Sequence, residues 1–498
     1  MSIPLHSKKG VLILTVTTLV SGLGFLMASA VTIALPIIQK ALAADITNIQ
    51  WIVNSYVLVL GSLILLSGAL GDLFCAKRIF TIGIIAFTAG CALCGVSWNT
   101  LSLIGFRTVQ GAGAALMVPG SLTVINRVFM QRERGRAIGI WAGISGGIAA
   151  LGPFIGGVLA DISWRWVFLA LVPFGLISII MAVLLIPHLP GREGARIDRL
   201  GAVLIFASLG ALSYSFIMIS ERGLDPGILV WGIGGLIAVS AFVVQNRKTG
   251  NPLLPPDMFS RNVIIANIAT FLLYFAFQGV FFLLAFRLQQ LHGYSALEAG
   301  LALIPAIGLI ALLTGPSGAL TDRRGPRFQM SAGPFLVTAA IVWWVIFPEG
   351  DYPMDILPGV ILLGAGMVLV IPPITKTALD VEEVYSGAAS GLNNGASRVA
   401  GLFAVALAGS VLALVYTATL RQKLQIHDLS QNTVRHELSN ADQLLSAPLP
   451  DTKEAELIIR LRQNAFEHGF FYSAILLGVA SFSAGLVSFS GLSKQPDS

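Results

Sequence analysis

Long apolar runs, separated by short polar segments, follow one another along almost the whole chain. A helix that crosses a bilayer needs about 20 mostly apolar residues. Runs of that kind cover residues 11–38, 52–71, 79–97, 101–122, 137–159, 164–187, 201–220, 228–245, 263–286, 297–320, 329–347, 356–375, 388–416 and 469–490. They are too long for membrane strands and lack the two-residue alternation of strands. The pattern predicts an all-α membrane protein with about fourteen transmembrane helices.

Composition argues against a soluble catalytic domain. Of 498 residues, 55% are hydrophobic and 11% are charged, against about 25% charge in an average soluble domain. So little charge cannot cover a surface that faces water, and the 53 glycines suit closely packed membrane helices. Cys75, Cys91 and Cys94 lie in or beside apolar runs, and we interpret them as packing residues, not a metal or redox site.

The distribution of basic residues predicts the orientation of the chain. With the N-terminus inside, inner segments hold 19 of the 31 Lys and Arg, short outer loops four, and segment 417–467 six. Cytoplasmic loops carry the basic excess, so we expect both termini in the cytoplasm and 417–467 outside, as an amphipathic hairpin or a solvated cap. The formal charge of +6 therefore reports topology and does not indicate nucleic-acid binding. A signal peptide is the alternative for the first run, but that run stays apolar through Ile38, which favours an uncleaved helix.

One short element occurs twice, near the ends of the second and tenth runs. Residues 68–72 read GALGD and precede Lys77 and Arg78, and residues 318–322 read GALTD and precede three arginines. A duplicated unit of this kind is typical of transporters built from two related halves.

Further motifs lie around the repeat in a fixed order. They are ALP at 34–36, RTVQGAG at 107–113, GPFIGG at 152–157, WRWVF at 164–168 and the glycine-rich stretch 387–401. Together with the repeat, this order resembles the major facilitator superfamily, and within it the fourteen-helix drug:proton antiporters of the EmrB/QacA type. The resemblance extends over most of the chain.

The resemblance implies a major facilitator fold with three parts around a central cavity. These are a six-helix bundle in residues 1–190, two additional linker helices in 191–250 and a second six-helix bundle in 251–498. It also implies proton-coupled export of lipophilic compounds by alternating access, in a bacterial cytoplasmic (inner) membrane.

Charged residues in or beside the spans are candidates for coupling and conformational change. Arg107 lies inside a span, where a charge costs roughly 2.5–3.5 kcal/mol on insertion scales. It either faces the bundle interior or forms a structural ion pair or reaches the headgroups, and the resemblance favours a function. Arg398 is a second cation inside a span. Asp72 and Asp322, at the cytoplasmic ends of two spans, are predicted latches that pair with loop arginines in one state.

The fifth run contains a predicted hinge, formed by Gly152, Pro153, Gly156 and Gly157. Proline interrupts the hydrogen-bond ladder of a helix, and the glycines leave a smooth helix surface. The resemblance favours a bent hinge that seals the cavity in one state, and tight packing of small residues is the alternative.

Side chains of three spans form a candidate substrate cavity. Its members are Met27, Tyr274, Gln278, Phe281, Asn393 and Asn394. Tyr274, Gln278 and Phe281 share one face of a helix at i, i+4 and i+7, which suits either a wall for flat hydrophobic substrates or ordinary helix packing. Met27 occupies a position where relatives often carry Asp, and the two asparagines lie in a span where some relatives carry acidic residues.

The predicted spans contain no Asp or Glu away from their ends. A proton-coupled exporter needs a titrating group in its cavity, and Asp72, Glu298, Asp322 and His468 are the candidates that remain. With Arg107 and Arg398 inside, we expect substrates to be neutral or anionic lipophiles.

These patterns predict a multidrug exporter, not an enzyme, because no P-loop, nucleophile elbow or metal-ligand set occurs. The alternatives are a dedicated exporter of one endogenous lipid, siderophore or metabolite, and, more remotely, a membrane scaffold or receptor. The expected partners are a lipophilic substrate, protons and the bilayer. We expect a monomer without cofactor or metal, and a periplasmic adaptor stays open as a partner.

Overall fold

The computed structural model describes residues 3–190, 198–223, 225–250, 252–347, 351–382, 385–427, 429–448 and 454–492. Throughout these ranges the chain is helical, and they contain no β-strand. The α-helices are α1 (Lys8–Leu42), α2 (Ile46–Leu73), α3 (Ala76–Gly95), α4 (Thr100–Val128), α5 (Gln131–Ala150), α6 (Gly152–Ile162), α7 (Trp166–Leu169), α8 (Val172–Leu185), α9 (Arg199–Arg222), α10 (Pro226–Lys248), α11 (Arg261–Phe286), α12 (Ala296–Ala302), α13 (Ile304–Arg324), α14 (Pro326–Ile346), α15 (Ile356–Ala378), α16 (Ser386–Ile426), α17 (Gln431–Ser439) and α18 (Ala455–Gly491).

The predicted number of spans is confirmed. Within the described ranges, 14 helical segments are long and apolar enough to cross a membrane. Three of them are built from two helices each, α5 with α6, α7 with α8, and α12 with α13. The longest helices, α16 with 41 residues and α18 with 37, extend well beyond their predicted apolar runs.

Local sequence signals explain where several helices begin. Asn99 accepts a hydrogen bond from the backbone N–H of Ser102 and starts α4. Ser295 and Glu298 form a capping box at α12, in which each side chain accepts from the other residue's N–H, at 3.1 and 2.8 Å. These bonds satisfy N–H groups that the first turn of a helix leaves without partners. Glu298, a candidate proton carrier from the sequence, is therefore engaged in helix capping here.

Packing contacts divide the helices into two bundles. Helices α1–α8 contact one another in the first bundle, and α11–α18 contact one another in the second. The linker helices α9 and α10 form a pair, and α9 packs on both α2 and α16, one helix from each bundle. The residue bounds of three parts, 1–190, 191–250 and 251–498, stay a prediction.

We name the two ends of the molecule by their residues. The hairpin end is where α17 and the turn Ala441–Ser446 lie, and Gln39 near the end of α1 donates there to the Gln443 carbonyl oxygen at 3.3 Å. The basic end is the opposite one, where α2 ends and α3 begins with Lys77 and Arg78.

The described residues of the polar segment 417–467 are mostly helical. Its two sides continue α16 and begin α18, and α17 with a 3₁₀ turn at Ala441–Ser446 lies between them. Arg462 of α18 donates to both carboxylate oxygens of Glu437 at 2.6 and 2.8 Å and to the Ala447 carbonyl oxygen at 2.6 Å. Both side chains are buried, so this segment has a packed interior beside its exposed residues. The segment is tied to the second bundle by this charge pair.

Removing one partner of this ion pair leaves a buried charge uncompensated, which costs about 3–5 kcal/mol. We therefore expect Arg462→Leu to lower the midpoint of thermal unfolding in detergent, and the double substitution Glu437→Leu with Arg462→Leu to recover most of the loss. Unchanged unfolding of the Arg462→Leu protein would contradict a structural role for the pair.

Candidate functional site

The predicted hinge is a break between two helices. Helix α5 ends at Ala150 and α6 begins at Gly152. Pro153 has no N–H, so the carbonyl oxygen of Ala149, four residues earlier, loses its helical partner. The hydroxyl of Ser29, on α1, donates to this oxygen at 3.1 Å. The break is thus stabilised by a side chain from a neighbouring helix.

Glycines at the break let helices approach backbone to backbone. A Cβ atom on Gly156 would lie 2.6 Å from Cα of Ala30 in α1. A Cβ on Gly157 would collide with the Ala296 carbonyl oxygen of α12, and a Cβ on Gly300 of α12 would collide with the carbonyl oxygen of Pro153. Because α6 and α12 belong to different bundles, the hinge motif lies directly on the interface between them.

Polar contacts extend this interface at the hairpin end. Gln289 donates to the Ile33 carbonyl oxygen at 2.7 Å, and Gln290 donates to Gln39 Oε1 at 2.7 Å. On the other side, Gln50 of α2 lies with its Nε2 3.3 and 3.1 Å from two carbonyl oxygens of α16, those of residues 405 and 406. The bundles are therefore in close contact at the hairpin end.

The continuation of the same helices toward the basic end lacks this packing. A Cβ on Gly143, Gly146 or Gly147 of α5 would meet nothing within 4 Å, and the same holds for Gly308 and Gly315 of α13. Toward the basic end, α5 and α13 therefore diverge, whereas α6 and α12 pack closely at the hairpin end.

Arg107 is buried, with 1% of its surface exposed. Its Nε donates to the Ile52 carbonyl oxygen at 3.1 Å and its Nη1 to Gln110 Oε1 at 2.6 Å. The guanidinium lies 4.2 Å from the ring centroid of Tyr56, whose hydroxyl donates to the Gly24 carbonyl oxygen at 3.2 Å. Among the described residues no carboxylate pairs with Arg107. Within the described residues Arg107 thus forms no ion pair, and its burial keeps it from reaching the headgroups. Its hydrogen bond to Ile52 joins α4 to α2.

Arg398 reaches from the second bundle to the first. Its guanidinium lies 5.4 Å from the ring centroid of Phe25 in α1, and its Cβ lies 3.7 Å from where a Cβ on Gly61 of α2 would be. Trp141 of α5 packs edge-on against Phe25 with ring centroids 6.4 Å apart, and its indole donates to Ser21 Oγ at 3.0 Å. One cation and two aromatic rings therefore meet between the bundles.

The predicted cavity residues are in different environments. Tyr274, Gln278 and Phe281 are half-buried on α11, and Gln278 packs 3.3 Å from the Cβ position of Gly401. In contrast, Met27 is fully buried in the packed core. Asn393, also half-buried, donates to Thr270 Oγ1 at 2.8 Å.

Asn394 is exposed and donates to the carbonyl oxygen of Ser390 at 3.0 Å, within α16. The structure thus groups Tyr274, Gln278 and Phe281 on one helix but does not bring Met27 to an open surface. A substrate cavity formed by all six residues stays a prediction.

The side chains of Asp72 and Asp322 lie outside the described residues, so their role as latches stays a prediction. Beside the second of these, Thr321 donates to Gln329 Oε1 at 2.8 Å, which joins the end of α13 to α14.

Sequence reasoning missed a buried polar cluster at the hairpin end. Arg287, one of the four basic residues that the sequence analysis counted in short outer loops, is buried and pairs with the fully buried Asp355 at 3.2 Å. Arg287 also donates to the Trp344 carbonyl oxygen at 2.8 Å, and His292 Nε2 lies 3.3 Å from Asp355. Each charge directly flanks a predicted span, and that spacing was the available signal. No group of His, Cys, Asp and Glu in the described ranges has the arrangement of a metal site.

Two bundles joined by a pair of linker helices, closed at one end and diverging at the other, define a polytopic membrane transport protein. The family model of the Major Facilitator Superfamily matches residues 17–405, and the chain belongs to this family.

Two named relatives support this assignment to the family, and one solved structure shares the fold. The methylenomycin A resistance protein of Bacillus subtilis (strain 168) is 31% identical over 80% of this chain and 88% of that protein. The tetracenomycin C resistance and export protein of Streptomyces glaucescens is 31% identical over 78% of this chain and 73% of that protein. A bacterial homolog of the human lysosomal transporter Spinster shares the fold, with a TM-score of 0.68 at 15% identity, over 97% of this chain and 98% of that one.

Substitution of Gly157 tests the sealing role of the hinge motif. The larger side chain of Gly157→Val would collide with the α12 backbone, and overpacking of this kind costs about 1–3 kcal/mol. We expect export by this variant to fall about tenfold, because the closed hairpin end is destabilised. Gly146→Val is the matched control, since a Cβ there meets nothing within 4 Å. Equal export by the two variants would show that the contact with α12 does not matter.

Proposed function

We propose that this protein is a secondary active exporter of lipophilic compounds that works by alternating access and is driven by protons. The backbone packing of α6 on α12 at the hairpin end, with divergence of α5 and α13 beyond it, is the observation that carries the proposal. An alternating-access transporter needs an interface that closes one side while the other side is open. The relatives named for antibiotic resistance and export support the direction of transport.

The proposed orientation follows from the basic residues. The basic end faces the cytoplasm, both termini are inside, and the hairpin end faces out, in a bacterial inner membrane. In this arrangement the described state is closed to the outside and opens inward. We further propose that the protein acts as a monomer and not as an enzyme, with a periplasmic adaptor as an additional candidate partner.

Charges between the bundles favour neutral or anionic substrates. Arg398 with Phe25 and Trp141 offers a cation beside aromatic rings, and Asn393 and Gln278 offer amides nearby along α11 and α16. An ionised group in a low-dielectric setting attracts the opposite charge strongly. A dicationic substrate would meet no compensating carboxylate among these side chains.

A narrower function is favoured by the names of the relatives. Two of them are named for resistance to one compound each, methylenomycin A and tetracenomycin C. A dedicated exporter of one endogenous metabolite is therefore the second candidate. The breadth of the transported panel separates it from a multidrug exporter.

Flux in proteoliposomes under an imposed pH gradient tests the coupling. We expect Arg107→Ala to lower gradient-driven flux about tenfold or more, because hydrogen bonds to a charged group contribute about 1.5–3 kcal/mol each. Arg165→Ala is the control, since Arg165 also lies over an aromatic ring, at 4.4 Å from Trp164, and donates to a backbone carbonyl, but outside the bundle interior. Flux that is indifferent to both the gradient and Arg107 would remove the proton-coupled proposal.

A second measurement addresses substrate charge. Cationic, neutral and anionic dyes of similar size are compared in the same proteoliposomes, with wild type and Arg398→Gln. We expect the wild type to prefer neutral and anionic dyes, and Arg398→Gln to lose anionic transport more than neutral transport. Efficient transport of dicationic dyes by the wild type would contradict the proposed selectivity.

A further inference from the structure

Asp161 is an exposed acidic residue near the end of α6 that sequence analysis did not single out. Its Oδ1 accepts a hydrogen bond from the backbone N–H of Ala296 at 2.9 Å, and its Oδ2 accepts from the N–H of Leu297 at 3.0 Å. Asp161 belongs to the first bundle and α12 to the second. The carboxylate therefore joins the two bundles with both of its oxygens.

The two bonds satisfy backbone N–H groups at the start of α12 that the helix itself leaves without partners. The first N–H groups of a helix have no intrahelical partner. Ser295 accepts from the N–H of Glu298, which leaves those of Ala296 and Leu297. These two groups find their partner in Asp161, across the interface.

The peptide groups that Asp161 binds are held in place from the second bundle. They follow a turn in which Gly293 has φ +71° and the N–H of Tyr294 donates to the Leu288 carbonyl oxygen at 3.0 Å. His292 in the same turn lies 3.3 Å from Asp355, which pairs with Arg287. The turn therefore lies directly beside the buried cluster between the end of α11 and the start of α15.

The contact differs from its neighbours at the interface. Gln289, Gln290 and Gln50 cross the hairpin end with neutral amides. Hydrogen bonds to an ionised acceptor are roughly twice as strong as neutral ones. Opening of the hairpin end must separate α6 from α12 and so break both bonds of Asp161.

We infer that Asp161 is the latch that holds the hairpin end closed, and that the Arg287–Asp355 pair positions the peptide groups that Asp161 binds. The inference rests on the alternating access of the proposed function. Loss of the latch should favour the state in which the hairpin end is open, without changing the packing inside either bundle.

Distance measurements between spin labels test the latch. The labels are placed by Lys40→Cys in the first bundle and Met354→Cys in the second, both exposed at the hairpin end, with the three native cysteines replaced by serine. Asp161→Asn keeps the size of the side chain and removes its charge. We expect the ratio of long to short distances in lipid nanodiscs to rise about three- to tenfold, because one charged hydrogen-bond pair is weakened at an exposed site.

Asp225→Asn is the matched control. Asp225 accepts from the Gly227 N–H at 2.7 Å at the start of α10, so it caps a helix at the same end but crosses no interface. An unchanged distance ratio in Asp161→Asn, or an equal rise in Asp225→Asn, would overturn the inference. The labels report bundle separation without substrate or gradient. Failed transport with an intact shift would therefore count against the proposed function alone.

Discussion

Every backbone polar group inside a bilayer must find its partner within the protein, since lipid offers none. The break at Gly152 and Pro153 meets this constraint through Ser29, which donates to the carbonyl oxygen that the proline leaves free. Where a proline breaks a membrane helix, a neighbouring helix can supply the missing donor. The glycines that follow the break let α6 approach α1 at Gly156 and α12 at Gly157.

Buried arginines are stabilised by different kinds of partner in the bundle interior and at the hairpin end. Arg107 is stabilised by a carbonyl oxygen, an amide and an aromatic ring, without a carboxylate among the described residues. At the hairpin end, Arg287 and Arg462 each pair with a buried carboxylate. A paired charge fixes one geometry, whereas a cation on neutral partners can respond to a neighbouring charge. The paired clusters therefore suit the scaffold, and Arg107 suits the moving interior.

The two bundles are in close contact at the hairpin end and diverge toward the basic end, so the described state is open at the basic end alone. The contacts that cross the hairpin end come from the backbone at Gly157 and Gly300, from the amides of glutamine side chains and from the carboxylate of Asp161. The cap formed by α17 and the turn Ala441–Ser446 is tied to the second bundle by the bonds of Arg462 to Glu437.

The sequence by itself determined that the protein lies in lipid, the number of spans and the place of the helix break at Gly152 and Pro153, because apolar length and proline act locally. It also singled out Arg107 as a cation inside a span, but left open whether it faces the bundle interior, forms an ion pair or reaches the headgroups. Only the tertiary structure decided which groups meet: Asp161 binds a peptide 135 residues away, and Ser29 reaches a carbonyl 120 residues away. It likewise placed Met27 in the core and Arg287 in a buried pair. Such partners depend on how helices pack side by side. The hydrophobic pattern of a single helix does not indicate which helix packs against it.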